Sequence, residues 1–309
     1  RNVIDEAYFT DWLDKWVSWC ESYGLYCIIN IRGFRGRDDY ERVPPTFPDW
    51  LWKDLGYSAP TTQELADIII RDFFDVDVTR QDVNREAWIN AWKFIAERYK
   101  NNTYALFGLM NEPLAGVTGL TSSSAVHLGE SYSQFMEAAI DGVRSMGAKQ
   151  SIFVDRPYVW YVSNVQPVNR DNIVWEDHLY VGEGFDIASW KNAMDAKVQR
   201  FVYDFGKPLF IGEYGIDPYS LVKEEPLKST WKDILAEQTA FLDSKPVVGK
   251  QWHQWGALEG EYYDFVYDWF TAEDSQYIVD TVFKLPPELP KLPFHDYFEN
   301  LAEWNILKG

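Results

Sequence analysis

The chain has 309 residues, 46% apolar and 25% charged, which is enough to bury a large core and too apolar for disorder. A formal charge of −19 argues against nucleic acid or an anionic membrane surface as partner and suits a neutral substrate. No apolar run approaches the roughly 18 residues of a membrane span, and the two cysteines, Cys20 and Cys27, cannot make a disulfide framework. Both lie in apolar stretches and read as buried thiols.

Between Asp5 and Tyr23, residues Phe9, Trp12, Leu13, Trp16, Val17 and Cys20 recur at helical spacing, and Gly24 ends that helix. Leu25 to Ile31 reads as a buried strand opening into a charged loop, Arg32 to Asp39. Residues 41–60, rich in Pro and Trp, read as a long surface loop, either one wall of a cleft or a plain excursion. Helices are expected from Thr61 to Phe74, where Thr61 and Glu64 make a capping box, and from Arg85 to Tyr99. The strand Tyr104 to Met110 is followed by a Ser/Gly-rich loop and a helix from Ser124 to Met146. Ser151 to Asp155 and Asn172 to Tyr180 are strand-like, and Asp186 to Phe205 is helical and closed by Gly206. Leu209 to Gly212 is a further strand, Thr230 to Leu242 a helix, and Gly249 to Trp255 a last strand. An aromatic, acidic excursion over 257–285 precedes a final helix near His295 to Trp304.

Strand, loop and helix in repetition, with near-continuous apolar strands, predict α/β architecture on a parallel sheet. No Gly-rich phosphate loop follows the first strand, which weighs against a doubly wound nucleotide-binding fold. The reading is a (β/α)8 TIM barrel, one catalytic domain over 1–309. Six strands are counted where closure needs eight, and the first two strands are expected to be missing ahead of Arg1. A barrel short of two strands bares a hydrophobic edge, so the missing N-terminal segment is expected to be supplied, as a separate piece if not otherwise. The chain starts without an initiator Met and reads as the remnant of a longer, secreted precursor.

Two of these strands end alike. Ala105-Leu106-Phe107-Gly108-Leu109-Met110 runs into Asn111-Glu112-Pro113, and Pro208-Leu209-Phe210-Ile211-Gly212 runs into Glu213-Tyr214-Gly215. A proline cannot continue the ladder, and a carboxylate at the end of a buried strand is costly unless something uses it. Two such carboxylates at the mouth of a barrel suit cleavage of a glycosidic bond, one protonating the leaving oxygen while the other attacks the anomeric carbon. Asn111 is placed to bond a sugar 2-hydroxyl, Tyr180 to hold Glu213 ionised, His178 to bear on the proton balance of the pair, and Trp255 to stack under the sugar ring.

These residues carry a resemblance to the clan A glycoside hydrolases, most closely family 5. Members of that family have a strand ending Asn-Glu-Pro with the general acid/base, as in Asn111-Glu112-Pro113, and a later strand carrying the nucleophile, as in Ile211-Gly212-Glu213-Tyr214-Gly215. The family's His-x-Tyr on the strand between resembles His178-Leu179-Tyr180, and its last-strand Trp resembles Trp255, with Trp252 a weaker candidate. The likeness spans about Tyr8 to Trp255. There are two departures. Arg32, in Ile29-Asn30-Ile31-Arg32, stands where the family places a histidine, and is expected to contact a sugar hydroxyl or a carboxylate instead. The arginine that follows the family's second strand has no counterpart in the chain.

The resemblance implies a retaining enzyme on a β-glucan or related polysaccharide, an endo-β-1,4-glucanase first, with a β-mannanase or β-1,3-glucanase as alternatives, and no cofactor. A non-catalytic carbohydrate-binding barrel is a further alternative, motivated by Arg32 and the missing strands. A metal hydrolase is disfavoured because His127, His178, His253 and His295 show no ligand spacing.

Overall fold

The computed structural model describes residues 6–32, 81–113, 122–158, 165–182, 185–216, 225–253 and 272–283. The loop expected over 41–60, the helix from Thr61 to Phe74, Trp255 and the final helix near His295 lie outside the described residues.

Six strands form one sheet: β1 Cys27–Arg32, β2 Ala105–Asn111, β3 Ile152–Asp155, β4 Ile173–Val181, β5 Leu209–Ile216 and β6 Gly249–Trp252. Each pairs in parallel with the next in chain order. Sequential parallel strands with helical crossovers are the pattern of a barrel wall, and the sheet is a partial (β/α)8 barrel of six strands. The described helices are α1 Asp14–Ser22, α2 Gln81–Tyr99, α3 Ser122–Ser145, α4 Ile187–Val198, α5 Glu225–Asp243 and α6 Ala272–Ile278. Three of them adjoin a π-helical stretch: Phe9–Leu13, preceded by the single helical turn Glu6–Tyr8, leads into α1, and Gln199–Asp204 and Val279–Phe283 follow α4 and α6. The excursion expected over 257–285 is helical in part, since α6 and the π turn Val279–Phe283 fall inside it.

The apolar runs form strands because both of their faces are covered. In β2, Phe107, Leu109 and Met110 have no solvent exposure, and the same holds for Ile152 and Val154 of β3. Large aromatics seat the helices on this sheet and spend their one polar atom on its backbone. Trp92 of α2 lies edge-on to Phe107 at 6.0 Å and donates its indole N–H to the Leu109 carbonyl at 3.1 Å. Trp190 of α4 does the same to the Leu179 carbonyl at 2.9 Å, while Trp175 of β4 stacks on Phe201 at 4.9 Å. Asp14 at the start of α1 accepts from Arg98 Nε and from the Tyr99 hydroxyl, joining α1 to the end of α2.

Cys20 and Cys27 are free thiols, as the sequence suggests, but half-buried rather than buried. Partial burial, with Cys20 beside it, pushes the Cys27 thiol up to about 11. At the two ends of the sheet, β1 and β6 each pair on one side only among the described residues. Beside β1, the outer face of the first helical stretch carries Trp12, Trp16, Trp19 and Tyr23, all about half-exposed.

Candidate active site

The chemistry collects where β2, β3, β4 and β5 end. Side chains two apart on a strand share a face, so Glu176, His178 and Tyr180 of β4 line one side while Asp177 points to the other. On the β5 side, Asp177 pairs with Ile211 but His178 pairs with Glu213, which leaves Gly212 as an extra, bulged residue. Bulges beside active sites re-aim a side chain, and this one brings the Glu213 carboxylate level with His178. A Cβ built on Gly212 would lie 2.0 Å from Glu176 Oε1, so only glycine at this position lets the Glu176 carboxyl pass.

His178 stands between the two glutamates. Its Nδ1 is 3.1 Å from Glu112 Oε1 and 3.6 Å from Glu213 Oε1, and its Nε2 is 3.5 Å from Glu176 Oε1 and 3.9 Å from Asp155 Oδ2. One ligand atom from each of Glu112, His178 and Glu213 lies within 4.8 Å of the others. Burial alone would push the imidazole down, but Asp155, Glu176 and Glu213 outweigh it and raise His178 to about 9. At neutral pH the ring is therefore a cation between carboxylates. Burial raises Asp155 well above the usual carboxylate range, opposed by His178.

The Tyr180 hydroxyl donates to Glu213 Oε2, and His253 Nε2 lies 3.9 Å from the same oxygen. Phenol and imidazole meet edge to face at 5.7 Å. Glu213 thus accepts a hydrogen bond from the Tyr180 phenol, with His253 close by but beyond hydrogen-bond reach of that oxygen, an arrangement that orients a carboxylate for attack. Glu112 has a different setting. It is 6% exposed and adopts φ +45°, the left-handed region, which costs a non-glycine residue about 1–3 kcal/mol and persists only where the surroundings dictate it. Asn111, one residue earlier, carries a buried side-chain Nδ2 with no hydrogen-bond partner, a donor suited to a ligand oxygen. Arg32 is placed opposite Asn111 across a register slip between β1 and β2. Of the residues expected at the site, Glu112, Glu213, Asn111, His178 and Tyr180 come together here, with Arg32 at the neighbouring strand end; Trp255 lies outside the described residues.

Beneath the site, on the opposite face of β4, is a buried ion cluster that the sequence did not reveal. Asp177 accepts from Arg156 Nε at 2.6 Å and from Lys197 Nζ. Burial works to raise Asp177, yet Arg156 and Lys197 prevail and hold it below the usual carboxylate range. Burial, with Arg156 nearby, brings Lys197 down to about 8. Asp155, Glu176 and His253 are likewise new to the site. The signal that marked Glu112, an acid closing an apolar strand, is also present at Asp155 of Ile152-Phe153-Val154-Asp155.

The Glu112, His178 and Glu213 ligand atoms are close enough to hold a cation, a proximity that residue spacing along the chain conceals. A protonated imidazole offers no lone pair to a metal, so His178 at about 9 opposes such binding at neutral pH. Two carboxylates bridged by a cation, one with a phenol donor, are instead equipped for proton transfer and nucleophilic attack at one carbon.

No curated protein sequence is matched by the chain. Among solved structures, it resembles a broad-specificity endoglucanase from an uncultured bacterium, with TM-score 0.65 at 16% identity over 91% of this chain and 76% of that one. It also resembles endo-glycoceramidase II from Rhodococcus sp., with TM-score 0.63 at 16% identity, covering 85% of this chain and 64% of that one. XacCel5A in complex with cellopentaose gives TM-score 0.54 at 15% identity over 84% of this chain and 72% of that one. At such identities the likeness concerns the fold. The profile of Cellulase (glycosyl hydrolase family 5) matches residues 2–256. The chain therefore belongs to glycosyl hydrolase family 5 and is a glycoside hydrolase.

Proposed function

We propose that the chain is a retaining endo-β-1,4-glucanase acting by double displacement, with Glu213 as nucleophile and Glu112 as general acid/base. The observation that carries this reading is the separation of the two carboxyl groups, with one oxygen of each inside 4.8 Å. Retaining enzymes hold their carboxyls roughly 5–5.5 Å apart, whereas inverting ones leave roughly 6.5–9.5 Å for a water. Glu213 would attack the anomeric carbon while Glu112 gives its proton to the departing glycosidic oxygen. The resulting glycosyl ester would be opened by water, whose proton returns to Glu112. Tyr180 stabilises the Glu213 charge before attack and as it reforms, and the buried Asn111 amide is available to a sugar hydroxyl. Arg32 is assigned to substrate contact at the rim, and the whole of 1–309 to one catalytic unit.

The β-1,4-glucan preference draws on the cellopentaose and endoglucanase of the structural relatives. Product release from carboxymethyl-cellulose, barley β-glucan, laminarin, mannan and xylan tests it, with Glu213→Ala alongside. Release from the glucans by the wild type, and a loss of several orders of magnitude in a folded Glu213→Ala protein, is the expected result. Release from mannan or laminarin alone would reassign the sugar within the family. Full activity in Glu213→Ala would remove Glu213 from the mechanism.

A further inference from the structure

The left-handed backbone at Glu112 has to be held by something, and the end of β3 is what touches it. Glu112 donates its backbone N–H to Asp155 Oδ2 at 2.7 Å, and Tyr158 donates its backbone N–H to the Pro113 carbonyl at 2.9 Å. Pro113 in turn disfavours the right-handed helical region for Glu112. The acceptor is itself fixed, because Asp155 is fully buried, its carbonyl accepts from the buried Tyr132 hydroxyl, and the next N–H, of Arg156, bonds the Glu176 carbonyl at 3.2 Å.

Asp155 also faces His178, but at 3.9 Å, beyond hydrogen-bond reach. Its carboxyl also lies against the Tyr158 side chain, and the backbone N–H it accepts is that of Glu112. A buried carboxyl is costly where it does nothing, and this one caps the N–H of a strained peptide whose side chain carries the chemistry.

We propose that Asp155 is a positioning residue: by accepting the Glu112 N–H it fixes the left-handed Glu112-Pro113 turn and so aims the Glu112 carboxyl at the leaving oxygen. This rests on Glu112 being the general acid/base. It predicts an effect that follows the leaving group. A misaimed acid hinders departure of a poor leaving group, which needs a proton, and spares a good one, which does not.

The test is steady-state kinetics of Asp155→Ala and Asp155→Asn on phenyl and on 2,4-dinitrophenyl β-cellobioside, with Glu112→Ala in parallel. Asp155→Ala is expected to lower kcat/KM, which reports the step in which the leaving group departs, on the order of 10²-fold for the phenyl substrate and far less for the dinitrophenyl substrate. Asp155→Asn keeps an oxygen in reach of the Glu112 N–H and is expected to recover most of the loss. Should the alanine variant not fold, Asp155→Leu fills the volume without an acceptor and carries the same comparison. Equal losses on both substrates, or none, would overturn the positioning role. If Glu112→Ala shows no dependence on leaving group, the acid/base assignment itself falls. If it shows one and the Asp155 variants do not, only the present inference falls.

Discussion

His178 sets the charge of the site, and its behaviour with pH can be stated with a sign. Its folded value of about 9 lies above the roughly 6.5 of an unfolded histidine. The stabilisation it contributes is fully present below about pH 6.5 and is lost as pH rises through about 9. Thermal melting between pH 6 and 10 is expected to show the wild type declining across this window and His178→Gln losing that part of the decline. A histidine with no bearing on the neighbouring carboxylates would leave the two profiles parallel. The sequence showed this residue through its place two positions before Tyr180 and its bearing on Glu112 and Glu213, but not its neighbours Asp155 and Glu176. Glu176 shares the ring's face by the alternation of β4 itself, but Asp155 reaches it from the neighbouring β3, a meeting set by register rather than by any local pattern.

At the scale of elements, β4 is the strand that separates chemistry from support. Its alternation sends Glu176, His178 and Tyr180 to the site and Asp177 to the helix side, where Arg156 and Lys197 meet it. Removing one member of a buried ion cluster leaves uncompensated charge and typically costs about 3–5 kcal/mol. Asp177→Ala is therefore expected to lose stability of that order in urea denaturation, because two cations are left without their shared anion. A change under about 1 kcal/mol would mean that water or another carboxylate compensates the pair. Strands such as β2 and β3 were legible because burial on both faces writes them as apolar runs, whereas β6, Gly-Lys-Gln-Trp and nowhere fully buried, was legible only from its place in the strand and helix rhythm. The π-helical stretches at Phe9–Leu13 and Gln199–Asp204 were not, since their apolar spacing is hardly distinguishable from that of the α-helices they extend. The helix Ala272–Ile278 escaped because its acidic and aromatic residues show no clear apolar face in the sequence.

For the molecule as a whole, the six strands read from the sequence are the six found among the described residues, where the parallel sheet has two ends. Near one end, Trp12 and Trp16 are about half-exposed alongside Trp19 and Tyr23, on a chain that is otherwise strongly acidic. Contiguous exposed aromatic surface promotes association, while a net charge of −19 opposes it. Added salt screens the repulsion and leaves the apolar attraction, so sedimentation velocity is expected to show self-association growing with ionic strength. The double substitution Trp12→Gln, Trp16→Gln is expected to suppress it without unfolding the chain. Association unchanged in that variant would place the contact elsewhere. The barrel was legible from the rhythm of elements and the two carboxylate-ended strands; the exposed face was not, since helical spacing alone does not say which aromatics the core takes.

The bulge at Gly212 has a consequence for how this sequence can change over generations. The space a side chain would need at 212 is filled by the Glu176 carboxyl, so the two positions behave as one heritable unit. A randomised library selected for activity should keep glycine at 212 wherever glutamate stands at 176. Larger residues should appear at 212 only in lineages that have first shortened 176, and those lineages would have to find His178 a new companion.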